Sequence, residues 1–128
     1  MQAIEKHVFN TAVYIRLSRE DGDKEESDSV GNQKTLLTAF VNKHDDFRLY
    51  DVYIDDGFTG TNFYRPDFQR MLADIEDKKV NCVVVKDLSR FGRDYIDTGR
   101  YLERLFPELG VRFISVTDHI DSLKQTYD

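Results

Sequence analysis

At 128 residues and 15.0 kDa the chain has room for one domain with a real core, and not for two. A mean hydropathy of −0.57 with 33% charged and 40% hydrophobic residues excludes a disordered or fibrous chain, and no apolar run approaches the roughly 18 residues that a membrane span requires. The net charge of −6 argues against a nucleic-acid partner only if it is spread evenly, and it is not.

Residues 1–10 read as an N-terminal extension, without the apolar stretch of a secretory signal. From Thr11 to Leu17, Val13, Ile15 and Leu17 alternate with Tyr14 and Arg16, which is strand periodicity. Six acidic residues between positions 20 and 28, offset only by Lys24, then carry five of the six net negative charges. Such a run reads as a solvated loop, so the net charge describes this loop and not the working face. Val30, Leu36, Leu37, Phe40 and Val41 fall on one helical face, with Asp28 or Ser29 available as N-cap. A second strand covers Phe47 to Ile54, and positions 55–62 have loop composition. Pro66 opens a helix whose inward positions are Phe68, Met71, Leu72 and Ile75. Val80 to Val85 is an unbroken apolar run, as an interior parallel strand requires. A third helix covers about 94–106, with Tyr95, Leu102, Leu105 and Phe106 inward and Gly110 beyond its end, and a further strand covers 111–116. Strand alternating with helix predicts an α/β domain with a mostly parallel sheet, whose sites gather at the carboxyl ends of the strands.

Two of those ends are unusually polar. If the first strand continues to Ser18, then Tyr14, Arg16 and Ser18 share a side at about 6.6 Å spacing. A hydroxyl beside a guanidinium could be a nucleophile next to an anion clamp; equally, residues 18–21 could form a turn or cap. In Leu88-Ser89-Arg90-Phe91-Gly92-Arg93-Asp94, two arginines three apart flank a glycine just ahead of a helix, an arrangement suited to phosphate. The plainer reading makes Arg93 and Asp94 a surface ion pair and Gly92 a turn. Arg65, after the Gly- and Thr-containing loop, could supply a third cation or, taken alone, stay solvated. Asp55 and Asp56 read as solvated or capping residues of a flexible turn and do not suggest a magnesium site. Three scattered histidines (His7, His44, His119) and one cysteine offer no metal-ligand spacing. The lone Cys82 permits no internal disulfide, fits a reducing cytoplasm, and reads as a small buried hydrophobe. A zinc site, a cysteine protease and a disulfide scaffold are thereby disfavoured.

Tyr14-x-Arg16-x-Ser18, Ser29-x-x-x-Gln33, Gly60-(x4)-Arg65-Pro66 and Leu88-Ser89-Arg90-Phe91-Gly92-Arg93-Asp94, in this order, resemble the catalytic domain of the serine recombinases, the resolvase–invertase family. Within it, the chain is most similar to the large serine recombinases of transposons and phages. The resemblance spans roughly residues 11–121. It implies a resolvase-like three-layer α/β/α domain with a mostly parallel central sheet and a short antiparallel fifth strand near 117–121. It further implies that Ser18 attacks a DNA phosphodiester to leave a 5′-phosphoserine link and a free 3′-hydroxyl. Arg16, Arg65, Arg90 and Arg93 would surround the scissile phosphate, with Gln33 supporting the site and Tyr14 lining it. Small members carry an aspartate where this chain has Ser89; Asp87 could face a similar way, and the role is transferred to neither. Asp94 matches the motif, although helix capping accounts for it equally well.

No metal or cofactor is implied, because fixed guanidiniums stabilise phosphoryl charge and a covalent intermediate conserves the phosphodiester energy. The implied partners are double-stranded DNA at specific recombination sites and further copies of the chain, as a homodimer and a synaptic homotetramer in the full-length protein. The resemblance places it in the bacterial cytoplasm, at the nucleoid when acting. Residues 122–128 read as the start of a linker to C-terminal DNA-binding regions, and the domain alone is expected to be monomeric and to bind DNA weakly. Two other readings use the same architecture. A receiver-like signalling domain would use a carboxylate at a strand end, here Asp55 or Asp56, and a non-enzymatic interaction module would dimerise through helix faces.

Overall fold

The computed structural model describes residues 8–17, 29–56, 65–92 and 95–123. Five strands form one sheet: β1 (Phe9–Leu17), β2 (Phe47–Asp56), β3 (Cys82–Val85), β4 (Arg112–Ser115) and β5 (Ile120–Asp121). Their spatial order is β2-β1-β3-β4-β5, with β5 alone antiparallel. The short antiparallel fifth strand is where the resemblance implied it.

The alternation in β1 sorts the core into two. Val13 and Ile15 pack with Leu37 and Val41 of α1 (Val30–Asn42), while Ala12 and Tyr14 pack on the opposite face with Phe68, Met71 and Ile75 of α2 (Pro66–Glu76). Apolar residues on both faces of a parallel sheet demand helices on both, and the result is the expected three-layer α/β/α domain. Ser29, not Asp28, caps α1, its Oγ accepting the Asn32 N–H at 3.1 Å. The inward stripe of α1 is Gln33, Leu37 and Val41, four residues apart. Leu36, expected inward, is 40% exposed, because one residue of helix turns it about 100° away from Leu37.

After β3, a single helical turn, α3 (Leu88–Phe91), precedes a longer segment made of α4 (Tyr95–Gly99), a π-helical stretch over Arg100–Leu105, and α5 (Phe106–Leu109). The wider turn is explained by Pro107, whose ring would collide with the carbonyl four residues back. Phe106 N–H instead reaches the Tyr101 carbonyl. The segment ends at Gly110, in the left-handed region at φ 71°. There Gly110 N–H donates to Pro107 O (3.2 Å) and Val111 N–H to Phe106 O (2.8 Å). Phe91, Phe106, Phe113, Phe68 and Tyr101 interlock edge-to-face and tilted beneath this helix, welding it to α2, α3 and the sheet.

A candidate active site at the carboxyl end of the sheet

The strands deliver polar residues to one end. β1 and β2 run parallel with Arg16 paired to Asp55 and Leu17 to Asp56. Thus β2 is two residues longer than its apolar pattern suggested, and Asp55 is no member of a flexible turn. It lies 2% exposed at the strand end and binds three donors. Tyr14 Oη donates to its Oδ2 at 2.8 Å, Phe68 N–H donates to Oδ2 at 3.0 Å, and Asp67 N–H donates to Oδ1 at 3.0 Å. Asp55 therefore caps the first turn of α2 from a neighbouring strand, so the capping half of its sequence reading holds and the solvated half does not. The alternation Tyr53, Asp55 was the signal that the strand continues.

Arg65, solvated if judged alone, is 1% exposed. Its Nη1 donates to Tyr14 Oη (3.0 Å) and its Nη2 to the Phe91 carbonyl (2.7 Å), and its guanidinium lies 5.0 Å from the Phe68 ring centroid. Burial, and after it the neighbouring Arg16 charge, pulls the Arg65 pKa down, while Tyr14 and Asp55 oppose this. Arginine's basicity leaves it a cation at neutral pH. Burial likewise raises the Tyr14 phenol above its ordinary value, so Tyr14 is a hydrogen-bond bridge and not a base.

Arg16 is fully buried and faces α3, its Nε donating to the Arg90 carbonyl (3.3 Å) and its Nη2 to the Ser89 carbonyl. Gln33 of α1 donates Nε2 to the Arg16 carbonyl at 3.4 Å. Arg90 is 5% exposed and sits 3.9 Å from Asp87. Asp87 Oδ1 caps α3 by accepting the Arg90 N–H (3.0 Å) and also accepts Ser89 Oγ (2.7 Å). The carbonyls of Ser89, Arg90 and Phe91 are α3's unsatisfied last ones, carrying partial negative charge, and it is these that orient Arg16 and Arg65. Gly92 is extended (φ −179°), as any residue can be.

The structure thus brings Tyr14, Arg16, Gln33, Arg65 and Arg90 to one end of the sheet. Ser18 and Arg93 lie outside the described residues, as do Asp94, most of the residue 55–62 loop, the residue 20–28 acidic run and the Tyr95 side chain. Sequence reasoning missed Asp55 and the α3 carbonyls. A receiver-type phosphoacceptor does not suit the Asp55 position. Asp55 ends an edge strand and is occupied by three donors, and among the described residues no group of three potential ligands could hold a metal ion. Nor is any helix among the described residues long and apolar enough to cross a membrane.

Two solved structures share this architecture at appreciable sequence identity. The N-terminal catalytic domain of TP901-1 integrase superposes with a TM-score of 0.80 at 31% identity, covering 91% of this chain and 83% of that one. A resolvase family site-specific recombinase from Streptococcus pneumoniae gives 0.73 at 32% identity, covering 92% and 78%. Uncharacterized immunity region protein 3 of Bacillus phage phi105 is 34% identical over 67 residues, which are 52% of this chain and 79% of that protein. The fold is that of the catalytic domain of a site-specific recombinase. Over residues 11–128 the sequence matches the resolvase N-terminal domain, and the chain belongs to that family.

Proposed function

We propose that this domain cuts and rejoins double-stranded DNA at specific recombination sites with Ser18 as the nucleophile. The Ser18 Oγ–phosphorus bond forms as the bond from phosphorus to the 3′-oxygen breaks. The hydroxyl proton is given up and the departing 3′-oxygen gains one, leaving a 5′-phosphoserine and a free 3′-hydroxyl. Strand exchange and the reverse attack then restore the phosphodiester, with no cofactor consumed. Arg16, Arg65, Arg90 and Arg93 stabilise the charge on the non-bridging oxygens, Gln33 supports β1 from α1, and Tyr14 holds Arg65.

The observation that carries this reading is the burial of Arg16, Arg65 and Arg90 around α3, at the carboxyl end of β1, which ends at Leu17. Burying three cations at one end of the sheet is costly in desolvation, and the negative charge of a phosphate offsets that cost. Residues 11–121 would form the catalytic domain, preceded by an extension and followed by a linker to DNA-binding regions. The intact protein would act as a dimer and pair sites as a tetramer, whereas this domain by itself would be monomeric with weak DNA affinity. A bacterial cytoplasmic setting follows from the same reading.

The test incubates the protein with duplexes spanning the genomic sequence that flanks its gene, quenches with denaturant, and maps covalent adducts by mass spectrometry. An adduct on Ser18 that disappears in Ser18→Ala is the expected result. DNA binding and pairing with no adduct would refute the chemistry and favour an interaction module on the same fold.

A further inference from the structure

The turn between β4 and β5 makes no contact with DNA chemistry in the reading above, yet it is bound to α3 by a long-range contact. Asp118 Oδ2 accepts the Leu88 N–H at 2.8 Å, thirty residues away, and is itself fixed by Ser115 Oγ at 2.7 Å. Thr117 donates to the Lys86 carbonyl both from its N–H and from its Oγ, each at 2.9 Å. Val116 N–H donates to the Val85 carbonyl at 3.0 Å. The residues entering α3 are therefore tied one after another to the β4–β5 turn. Four residues of helix cannot hold themselves, since one turn fixes many dihedral angles for a single internal bond. What holds α3 must come from outside it. Asp87 caps the Arg90 N–H from within the corner, and Asp118 caps the Leu88 N–H from the far turn. The carbonyls of the same turn receive Arg16 and Arg65.

We infer that Asp118 is a positioning residue for recombination: by fixing the start of α3 it sets where Arg16, Arg65 and Arg90 stand. The catalytic consequence rests on the recombinase reading; the structural one does not. A displacement of about 1 Å in such a cluster is enough to slow chemistry by one to two orders of magnitude. Asp118→Ala removes the tie, whereas Asp118→Asn retains an oxygen able to accept the Leu88 N–H. Ser122→Ala is the matched control, because it deletes a comparable bond in the same strand pair (Phe113 N–H to Ser122 Oγ, 2.8 Å) that does not touch α3.

Two readouts follow the variants. One is water exchange of the Arg16 Nε–H by NMR; the other is the rate of Ser18 adduct formation at saturating flanking-sequence duplex, with duplex affinity measured alongside. Asp118→Ala should accelerate exchange and slow adduct formation about tenfold or more at nearly unchanged affinity, Asp118→Asn should restore most of both, and Ser122→Ala should alter neither. If Asp118→Ala leaves Arg16 exchange as slow as in Ser122→Ala, the inference is overturned. A wild-type protein that forms no adduct overturns instead the recombinase reading, and with it the catalytic half of the inference, while the exchange result still decides the structural half.

Discussion

Tyr14 and Asp55 meet across the β1–β2 pair with the phenolic oxygen 2.8 Å from Oδ2, and this contact joins the two halves of the site. Through Tyr14 the carboxylate reaches the Arg65 guanidinium, and through its own oxygens it holds the first turn of α2. The two ends of the bridge are unequal. Tyr14→Phe removes one donor from an acceptor that keeps two others, and should cost about 1–2 kcal/mol. Asp55→Ala strands three donors, two of them backbone N–H groups, and should cost roughly 3 kcal/mol or more. Urea denaturation of both variants measures the difference; equal costs would show that the helix cap contributes nothing.

Arg65 spans two acceptors, Tyr14 Oη and the Phe91 carbonyl, with two different nitrogens. Lysine keeps the charge but offers a single point of donation and cannot make both bonds in that plane. Arg65→Lys is therefore expected to slow covalent adduct formation by about ten- to a hundredfold while DNA affinity changes little. Quenched time courses at saturating DNA check this, and a wild-type rate would remove Arg65 from the working cluster.

Burial in β3 pushes the Cys82 thiol up to about 12, against the smaller pull of Arg112. The folded state then keeps its proton where the unfolded chain, near the ordinary thiol value of about 8.5, has lost it. The raised folded value means full stability below the unfolded pKa and a progressive loss as pH rises towards 12, at up to about 1.4 kcal/mol per pH unit. Denaturation midpoints at pH 8, 9 and 10 should fall for the wild type and fall less steeply for Cys82→Ala. Parallel slopes would place the thiol in contact with water.

The opposite limb belongs to Asp51. Its hydrogen bond from Arg70 (2.7 Å) holds the carboxyl below the ordinary aspartate value, with the Val52 N–H assisting and burial opposing. A depressed folded value contributes stability above the unfolded pKa of about 3.9, lost as pH falls through the folded one. Both side chains are nearly half exposed, so the effect is small and salt-sensitive. Arg70→Gln should flatten the stability profile below about pH 4 and should respond less to added salt than the wild type.

The same arginine shows how an exposed sheet edge is closed. β2 is an edge strand whose outer groups are met by side chains: Ile54 N–H by Asp67, Val52 N–H by Asp51, and the Val52 carbonyl by Arg70. A register irregularity opposite Thr11–Ala12, where Leu49 and Asp51 pair with successive residues of β1, also interrupts the regular ladder. An edge occupied in this way resists pairing with a second copy.

Much of the domain was legible in the chain because its causes are local. Alternation at Val13, Tyr14, Ile15 and Arg16 set which side chain faces which layer, and Pro66 and Gly110 marked helix ends by their backbone geometry. The four motif segments, read together, pointed to the family that the comparison then showed. Where the reading failed, the deciding partner was distant in sequence. Leu36 looks as apolar as Leu37, but the exact helical phase against the sheet leaves it in water. Arg65 looks like a surface cation until Tyr14 and Phe91, far away along the chain, supply its acceptors.

The sequence by itself determined the first four strands, α1, α2 and the order of the polar residues, since periodicity and turn chemistry act over a few neighbours, whereas the α3 turn and the π-helical stretch before Phe106 were not read from it. Tertiary structure alone decided that Asp55 is a buried hub, that the carbonyls of α3 orient two arginines, and that Asp118 reaches back thirty residues to cap Leu88. Those contacts depend on strand order and register, and a hydrogen bond is made only when donor and acceptor are brought within about 3 Å, which no local pattern encodes.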